Sequence, residues 1–235
     1  MVKWILPFIA IYAQAASMAP KFFGAQTVTH KYYQLGYDNN IEGARWTYHK
    51  LTRSLINGNV DRTNEFMTDL SVTDGSANPW DYSGSGFDRG HLVPAGDMKL
   101  NSSSMHESFY MSNISPQHPS LNRGRWRALE NQVRTWTLRK GDMHIFTGPV
   151  FLKSYTNING THIAIPDGFY KIIYSEKSQQ AIAFFMANKK LYGDVLDFKL
   201  TIDEVESLSG IDFLAHLPDF LEKRLESRVN LAFWQ

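Results

Sequence analysis

The sequence predicts an α+β domain in which helices flank an antiparallel or mixed β-sheet. Two patterns support this class: several apolar runs of strand length, and two segments with helical spacing that stand apart from them. The chain has 235 residues, of which 43% are hydrophobic, and shows neither internal repeats nor a linker rich in Pro, Gly or Ser. One domain over residues 16–235 is therefore the simplest organisation.

The first residues have the pattern of a targeting segment. Lys3 is followed by an apolar run at 4–13 and then by the small-x-small tripeptide Ala13-Gln14-Ala15. A secretory signal has this layout, and the run is far shorter than the ~20 residues of a membrane-spanning helix. We therefore predict a signal peptide at residues 1–15, a secreted or periplasmic protein, and no stable membrane association after cleavage. An uncleaved anchor and a mitochondrial transit peptide are the alternatives. The second is disfavoured because the segment contains no Arg.

Charge and cysteine content limit the chemistry. The chain has 24 Lys+Arg against 23 Asp+Glu. A protein so close to neutrality cannot attract a polyanion by its overall field, so any nucleic-acid binding requires a local basic patch. The chain has no cysteine, which excludes disulfides, thiolate zinc sites and cysteine nucleophiles.

The first half of the chain contains two predicted strands separated by a loop. Trp46-Thr47-Tyr48 has the composition of a strand, and so does the apolar run from Phe109 to Ile114. Between them, residues 73–90 are rich in glycine and turn dipeptides, which is typical of a loop.

The second half contains a long helix, several strands and a final helix. Apolar residues recur at spacings of three and four between 121 and 140, where Lys140-Gly141 supplies a helix end. The last helix begins at the capping box of Thr201 and Glu204 and ends at Gly210. Between the two helices, strands are predicted at residues 143–147, 162–165, 169–174 and 181–187.

The polar residues with the strongest chemical potential lie in Asp88-Arg89-Gly90-His91, directly after the glycine-rich loop. A His and an Arg two positions apart could present a base and a cation to one phosphate, because the intervening Gly lets the backbone bend. A surface loop with a hydrogen-bonded His is an equally good interpretation of the tetrapeptide alone.

The long helix adds two polar residues to this hypothesis. Asn122 falls on the same helix face as Trp126 and Leu129, so its amide points inward and needs a partner. Glu130 lies about 80° to the side of that face. Eight residues of helix rise by ~12 Å, so Asn122 and Glu130 cannot share one ion directly if both are regularly helical. We therefore place Asn122 at or before the first turn. An N-cap Asn and a surface Glu form the alternative.

The same helix is strongly basic. Such a face is usually only solvated, but beside a phosphate site it would be the local patch that a neutral protein needs. The basic residues are Arg123, Arg125, Arg127, Arg134, Arg139 and Lys140, against the single acid Glu130.

Three segments occur in a characteristic order and spacing: residues 81–91 (DYSGSGFDRGH), residues 111–117 (MSNISPQ), and Leu121-Asn122 with Trp126 and Glu130. In this combination the sequence resembles the DNA/RNA non-specific endonuclease family, in particular its endonuclease G-like branch. The resemblance runs from about Tyr32 to the C-terminus. It implies a ββα-metal (His-Me finger) nuclease fold with a central, mainly antiparallel sheet flanked by helices.

The resemblance also implies catalytic roles for matching positions. His91 is the general base, and Asn122 is the direct ligand of a Mg²⁺ ion, a Mn²⁺ ion or another divalent cation. Glu130 matches the residue that holds water around that ion. Arg62 resembles the phosphate-stabilising arginine, although its match is shorter, and Arg89 belongs to the catalytic motif.

Three further residues are implied on the substrate-binding side. Asp88 belongs to the motif, either as a contact to phosphate or as a brace of its loop. Asn113 supports the site from the predicted strand, and Arg123, on the helix, is expected to bind the substrate.

The resemblance implies a metal-dependent endonuclease that hydrolyses DNA and RNA and leaves 5′-phosphate ends. Little sequence preference is expected, because contacts to phosphate carry no base information. Relatives of this type are often dimers, so a homodimer stays open. The alternative from another class is an exported, catalytically inactive nucleic-acid-binding protein of the same fold. The intact set of His91, Asn122 and Glu130 favours the enzyme.

Overall fold

The computed structural model describes residues 18–152, 154–158 and 160–235, so the predicted signal peptide at 1–15 lies outside the described residues. The described strands are β1 Gln26–Thr29, β2 Gln34–Asp38, β3 Gly43–Leu51, β4 Asp88–His91, β5 Ile114–Gln117, β6 Met143–Val150, β7 Gly168–Ser175, β8 Gln180–Ala187 and β9 Lys199–Leu200. The described α-helices are α1 Arg53–Ile56, α2 Ser102–Ser108, α3 Arg127–Lys140, α4 Ile202–Ser209, α5 Asp219–Glu226 and α6 Leu231–Trp234.

The central sheet has seven strands in the order β1-β2-β3-β6-β7-β8-β9. Every neighbouring pair is antiparallel. The α+β class and the mainly antiparallel sheet predicted from the sequence are therefore confirmed.

Both faces of the sheet are buried, and alternate residues of each central strand belong to different cores. Ile145 and Ile173 pack in one core, whereas Phe146 and Tyr170 pack in the other. The first core lies under α3, and the second contains residues of α4 and α5. Because both faces are covered, β6 and β7 are buried along their whole length, which explains their nearly continuous apolar sequence.

The apolar stripe of α3 packs on the first core as its spacing predicts. Leu129, Val133 and Trp136 are each at most 2% exposed. Trp136 also contacts Trp234 of the C-terminal helix edge to face, with 4.9 Å between the ring centroids. Burial of each aliphatic side chain in this stripe stabilises the fold by roughly 1.5–3 kcal/mol. The helix that carries the candidate site is thus fixed to the sheet.

A two-stranded ribbon and the start of the long helix form the ββα unit. β4 pairs antiparallel with β5, and Gly90 faces Ser115. A Cβ at Gly90 would lie 2.5 Å from the Cβ of Gln117, so only glycine permits this approach. The helix begins as a π-helical segment, Leu121–Trp126, and continues as α3. The helical spacing predicted from 121 to 140 did not indicate the π-helical turn, in which Gly124 has φ −109° and ψ −109°.

Two predicted strands are wrong in position. Residues 111–113 form a 3₁₀ turn, and the strand begins only at Ile114, where the prediction for 109–114 ended. The apolar side chains of Phe109 and Met111 fill small cores instead of a sheet face. The run at 162–165 makes one isolated bridge, between Ala164 and Asn157. It is apolar because Ile163 packs in a loop core.

The last predicted helix is confirmed in detail. Thr201 caps α4 by accepting a hydrogen bond from the backbone N–H of Glu204, whose carboxylate accepts one from the backbone of Thr201. Gly210 ends the helix with φ of 70°, a value that favours glycine. Within the described ranges, no helix is long and apolar enough to cross a membrane.

Candidate active site

A cleft of about 380 Å³ opens between the β4–β5 ribbon and the long helix. His91 reaches it from the end of β4, Asn122 from the π-helical turn, and Glu130 from the first turn of α3. The structure thus brings to one cavity three residues that lie up to 39 positions apart in the chain. The remaining lining residues are Arg62, Arg89, Pro94, Ala95, Gly96, Arg123, Arg127, Asn131 and Arg134.

The imidazole of His91 is held by aromatic neighbours. It is 8% exposed and packs edge-on against Phe109, with 5.0 Å between ring centroids, and tilted against Phe66 at 5.4 Å. Burial lowers the pKa of His91 to about 3, with a further contribution from the positive charge of Arg62. The imidazole is therefore neutral at pH 7 and able to accept a proton. Its Nε2 has no hydrogen-bond partner among the described residues.

Two arginines flank this imidazole. Arg62 is oriented by a hydrogen bond of 2.6 Å from its Nε to Asn64 Oδ1 and lies 5.1 Å above the ring of Phe109. Arg89 donates twice to the carbonyl of Pro79, at 3.0 and 2.6 Å, which fixes its guanidinium. Both side chains line the cleft, so an anion there would meet two positioned positive charges.

Asp88 connects the ribbon to the helix. Its carboxylate accepts a hydrogen bond of 2.8 Å from Asn122 Nδ2 and two from Arg123, at 2.9 and 2.6 Å. Burial raises the pKa of Asp88, but the hydrogen bonds from Arg123 and Asn122 outweigh it and leave the pKa below its usual value. Asp88 was predicted as a substrate-binding residue. Its carboxylate is instead occupied as a brace, the second of the two roles considered for it.

The side chain of Asn122 presents the atom that a metal ion needs. Because Nδ2 donates to Asp88, the amide is oriented, and its Oδ1 accepts no hydrogen bond within the described part of the chain. Amide and carboxylate oxygens are the donors preferred by Mg²⁺ and Mn²⁺, and Mg²⁺ commonly takes few protein ligands beside water and phosphate. Asn122 and nearby Glu130 therefore fit a divalent ion bound mainly by oxygen.

Glu130 belongs to a buried charge network that the sequence analysis missed. Burial raises the pKa of Glu130 to about 7, while the charge of Lys171 acts in the opposite direction. Lys171 is 1% exposed; its Nζ donates to Thr147 Oγ1 at 2.6 Å and lies 5.1 Å above the ring of Trp126. A lysine inside an otherwise apolar predicted strand was the one available signal.

Asp97 completes this network, because its charge acts on both Glu130 and Lys171. It contacts His49 Nε2 at 3.2 Å and Arg134 at 2.6 Å, and it is 3% exposed. Arg134 also donates to Asn131 Oδ1 at 2.6 Å, so the cleft wall is hydrogen-bonded along α3. Nothing in the local sequence indicates this pairing, because its members come from β3, the loop after β4, and α3.

Asn113, predicted on the substrate-binding side as a support of the site, is not among the residues that line the cleft. It is completely buried, and its Oδ1 accepts from the backbone N–H of Val93 at 2.8 Å. Its Nδ2 donates to the carbonyls of Val93 and Ser108, both at 2.9 Å. These bonds attach the segment after His91 to the turn before β5. Asn113 therefore supports the ribbon from the 3₁₀ turn before β5, and not from the predicted strand.

The basic patch of the helix divides into two parts. Arg123, Arg127 and Arg134 line the cleft, whereas Arg125, Arg139 and Lys140 are not among its lining residues. The ammonium of Lys140 instead lies 4.6 Å above the ring of Phe233. A locally positive cleft in a near-neutral chain is the arrangement that a polyanionic substrate requires.

The family profile described as DNA/RNA non-specific endonuclease matches residues 13–220. The chain belongs to this family. The family is one of divalent-metal-dependent nucleases, which agrees with the oxygen donors of the cleft. The resemblance identified from three motifs is thereby confirmed over most of the sequence.

Relatives and a solved structure support the same family. The chain is 33% identical to the mouse mitochondrial nuclease EXOG over 214 residues, which is 83% of this chain and 58% of that protein. It is 36% identical to nuclease C1 of Cunninghamella echinulata var. echinulata, over 79% of this chain and 81% of that protein. A chain of the solved EndoG/EndoGI complex, a structure concerned with EndoG inhibition, matches with a TM-score of 0.77 and 29% identity. The match covers 82% of this chain and 86% of that one.

The prediction of a secreted or periplasmic protein is contradicted by these relatives. EXOG of mouse and human and endonuclease G of human are mitochondrial nucleases by name. The apolar run after Lys3 had indicated a secretory signal, and the absence of Arg had argued against a mitochondrial transit peptide. The second criterion was misleading. The chain spans 58% of the length of the mouse and human EXOG proteins.

Proposed function

We propose that this chain is an endonuclease of the DNA/RNA non-specific endonuclease family that hydrolyses phosphodiester bonds in DNA and RNA with a divalent cation. The observation that carries the proposal is one cleft in which a neutral imidazole, an oriented amide oxygen and positioned arginines face the same space. A protein that only bound nucleic acid would need the arginines but neither the base nor the amide.

His91 is proposed as the general base. Its imidazole is neutral at pH 7, because burial and Arg62 keep its pKa at about 3. A bound phosphodiester would place a negative charge near Arg62, which would offset that positive field and raise the basicity of the ring. Proton removal from water by a positioned base typically contributes ~10²–10⁴ in rate.

The other residues of the cleft would hold and neutralise the phosphate. Arg62 and Arg89 would donate to its oxygens from fixed positions. Asn122 would bind the cation directly, and Glu130 would hold water around it. When bound, a divalent cation at this position supplies neutralisation of the charge that develops on the phosphate and the leaving oxygen. We propose that the 3′ oxygen departs and that 5′-phosphate ends remain.

Low sequence preference follows from the composition of the cleft. Its lining offers guanidinium groups, amides and small apolar residues, and the arginines are placed for phosphate. Such contacts fix the position of a duplex but do not distinguish bases. We therefore expect plasmid DNA and structured RNA both to be cut at many positions.

The decisive experiment compares the purified chain, His91→Ala and His106→Ala on circular plasmid and on RNA, with Mg²⁺, with Mn²⁺ and with EDTA. His106 is the matched control, because it is an exposed histidine of α2 outside the cleft. We expect cutting with metal, none with EDTA, a loss of about 10²–10⁴ in His91→Ala, and normal activity in His106→Ala. Circular dichroism checks that each variant is folded.

Two outcomes would contradict the proposal. Cutting by folded His91→Ala at the rate of the unmodified chain would remove the assigned base. Tight binding of DNA without any cutting would favour the inactive nucleic-acid-binding protein. End-labelling of the products tests the polarity, since 3′-phosphate ends would refute the assigned leaving group. The names of the relatives favour a mitochondrial location, which cell fractionation would test.

A further inference from the structure

A second group of oxygen ligands lies between α4 and α5. Asp203 and Glu206 are three residues apart on α4 and so project from the same side of that helix, while Glu226 is the last residue of α5. One carboxylate oxygen from each of these three residues lies within 4.8 Å of the others. None of the three lines the catalytic cleft.

The carboxylate of Glu226 is the unusual member of this group. It is 7% exposed, and its Oε1 has no hydrogen-bond partner among the residues that the structure describes. Buried carboxylate oxygens in proteins are almost always hydrogen-bonded or bound to a cation, since burial without a partner is costly. Glu226 therefore brings to the three-carboxylate group a buried side chain with an unsatisfied oxygen, which indicates a ligand there.

Within the described ranges, the charged neighbours that shift the pKa of Glu226 are all acids. Asp212 and Glu222 lie close enough to raise the pKa of Glu226 further. Among the ion pairs of the described residues none includes Asp203, Glu206 or Glu226. The nearby cation Lys21 is paired with Asp212 at 3.5 Å.

Without a cation, the group would have to hold protons. Burial and the neighbouring carboxylates raise the pKa of Glu226 to about 8, and burial is the main cause that raises the pKa of Glu206 to about 7. Glu206 nevertheless accepts a hydrogen bond of 2.7 Å from the backbone N–H of Phe213, which orients one of its oxygens. The carboxylate of Glu206 is thus already oriented, and a bound cation would offset the electrostatic repulsion between the three carboxylates.

We propose that Asp203, Glu206 and Glu226 bind one Ca²⁺ ion that joins α5 to α4. Ligands made only of oxygen select hard cations. Ca²⁺ binds oxygens at about 2.3–2.6 Å, so two of its ligands can stand up to about 5 Å apart. Ca²⁺ therefore accepts any spacing within the 4.8 Å limit, whereas Mg²⁺, with bonds of about 2.0–2.1 Å, needs oxygens no more than about 4.2 Å apart in near-octahedral order. Waters complete the coordination in this half-open position.

The ion would have a structural role, because the site connects two helices that cover the second core. Leu221 and Leu225 of α5 pack in this core, and so do Ile202 and Val205 of α4. A ligand that binds only the folded chain stabilises it by mass action. Calcium should therefore raise the melting temperature without being needed for phosphodiester cleavage.

The test measures Tm of the full chain at pH 8 during titration with Ca²⁺ after treatment with EDTA. Asn122→Ala serves as the background, because it removes the proposed metal ligand of the catalytic cleft. We expect a saturable rise of about 5–10 °C at a Ca²⁺ concentration 100-fold above its Kd. Glu226→Gln and Asp203→Asn should each abolish the rise. Asp219→Asn, an exposed acid of α5 outside the group, should retain it.

Three results would overturn the proposal. The first is no calcium-dependent shift in Tm. The second is a shift that persists in Asp203→Asn, which decides the question even if Glu226→Gln does not fold, because Asp203 is exposed. The third is an equal shift with the same concentration of Mg²⁺. If stability without calcium rises from pH 8 to pH 5.5 and calcium has no effect, the group holds protons in place of a cation.

Discussion

Replacement of Asp88 by Asn is the sharpest test of how the ribbon and the helix cooperate in the catalytic cleft. The carboxylate of Asp88 orients the amide of Asn122 through a hydrogen bond of 2.8 Å and holds Arg123 through two more. An Asn at position 88 keeps the shape but offers one acceptor oxygen and one NH₂ group. Whichever way this amide is turned, its NH₂ group faces at least one donor: Arg123 Nη2 in one orientation, or Asn122 Nδ2 and Arg123 Nε in the other. The negative charge that holds Arg123 is also lost, so the orientation of the Asn122 amide would be weakened.

The size of the effect follows from the position of Asp88 behind the proposed ligand. Loss of a group that orients a metal ligand typically weakens metal binding by about 10–100-fold, which corresponds to about 1.4–2.7 kcal/mol. Arg123 is a useful comparison, because its side chain is 72% exposed and its ion pair with Asp88 is screened by solvent. Arg123→Gln leaves the bond between Asp88 and Asn122 in place. It should weaken metal binding by less than about fivefold.

The assay is isothermal titration calorimetry of Mg²⁺ or Mn²⁺ into the unmodified chain, Asp88→Asn and Arg123→Gln, with plasmid cleavage measured at each metal concentration. We expect Asp88→Asn to require about 10–100-fold more metal for half-maximal cleavage and to approach a normal rate at saturation. Unchanged metal affinity in folded Asp88→Asn would refute the bracing role. An equally large loss in Arg123→Gln would show that the ion pair, not the orientation of the amide, holds the site.

Three further predictions concern the floor and the support of the cleft. Glu130 should make metal affinity depend on pH, because its pKa is about 7. The affinity should rise by up to about tenfold per pH unit as pH increases toward 7 and then level off. Glu130→Gln should remove this dependence, as calorimetry at several pH values would show. Asn113→Ala should cost about 2–4 kcal/mol in the free energy of unfolding, since the N–H and carbonyl of Val93 would lose their buried partners; urea unfolding measures this. Gly90→Ala should cost about 1–3 kcal/mol, because its Cβ would overlap Gln117, and should lower Tm.

Each of these predictions has an outcome that would contradict it. A metal affinity of Glu130→Gln that still rises toward pH 7 would assign the proton linkage to another group. Unchanged stability of Asn113→Ala in urea would show that the backbone groups of Val93 do not depend on the Asn113 side chain. For Gly90, the control is Gly75→Ala, in a loop where a Cβ meets no atom within 4 Å, although its φ of 81° adds some strain there. Equal stability of the Gly90 variant and the unmodified chain would show that the ribbon can shift.

Local sequence patterns were sufficient to predict the buried strands, the buried face of the long helix and the start of α4. The nearly continuous apolar runs of β6 to β8 indicate strands buried on both faces, and the spacing of Leu129, Val133 and Trp136 indicates the buried face of a helix. The capping box of Thr201 and Glu204 records where a helix begins. The order and spacing of the family's motifs predicted that His91, Asn122 and Glu130 belong to one site, and all three line the cleft, whereas Asp88 and Asn113 do not. A run of apolar residues at 109–114 did not distinguish a strand from a packed turn, since both bury the same side chains.

The tertiary structure alone decided how the polar residues are partnered. The sequence does not show that Asp88 accepts hydrogen bonds from Asn122 and Arg123, or that the amide of Asn113 bonds to backbone groups. Nor does it show that the charge of Lys171, on the sheet, acts on Glu130, or that acids of α4 and α5 meet at one point. The physical reason is that burial and charge act over a few ångströms of space, whereas these residues are separated by tens of positions along the chain. A periodic pattern therefore predicts which side of an element is buried, but the pKa and the role of a buried polar group depend on the element that packs against it.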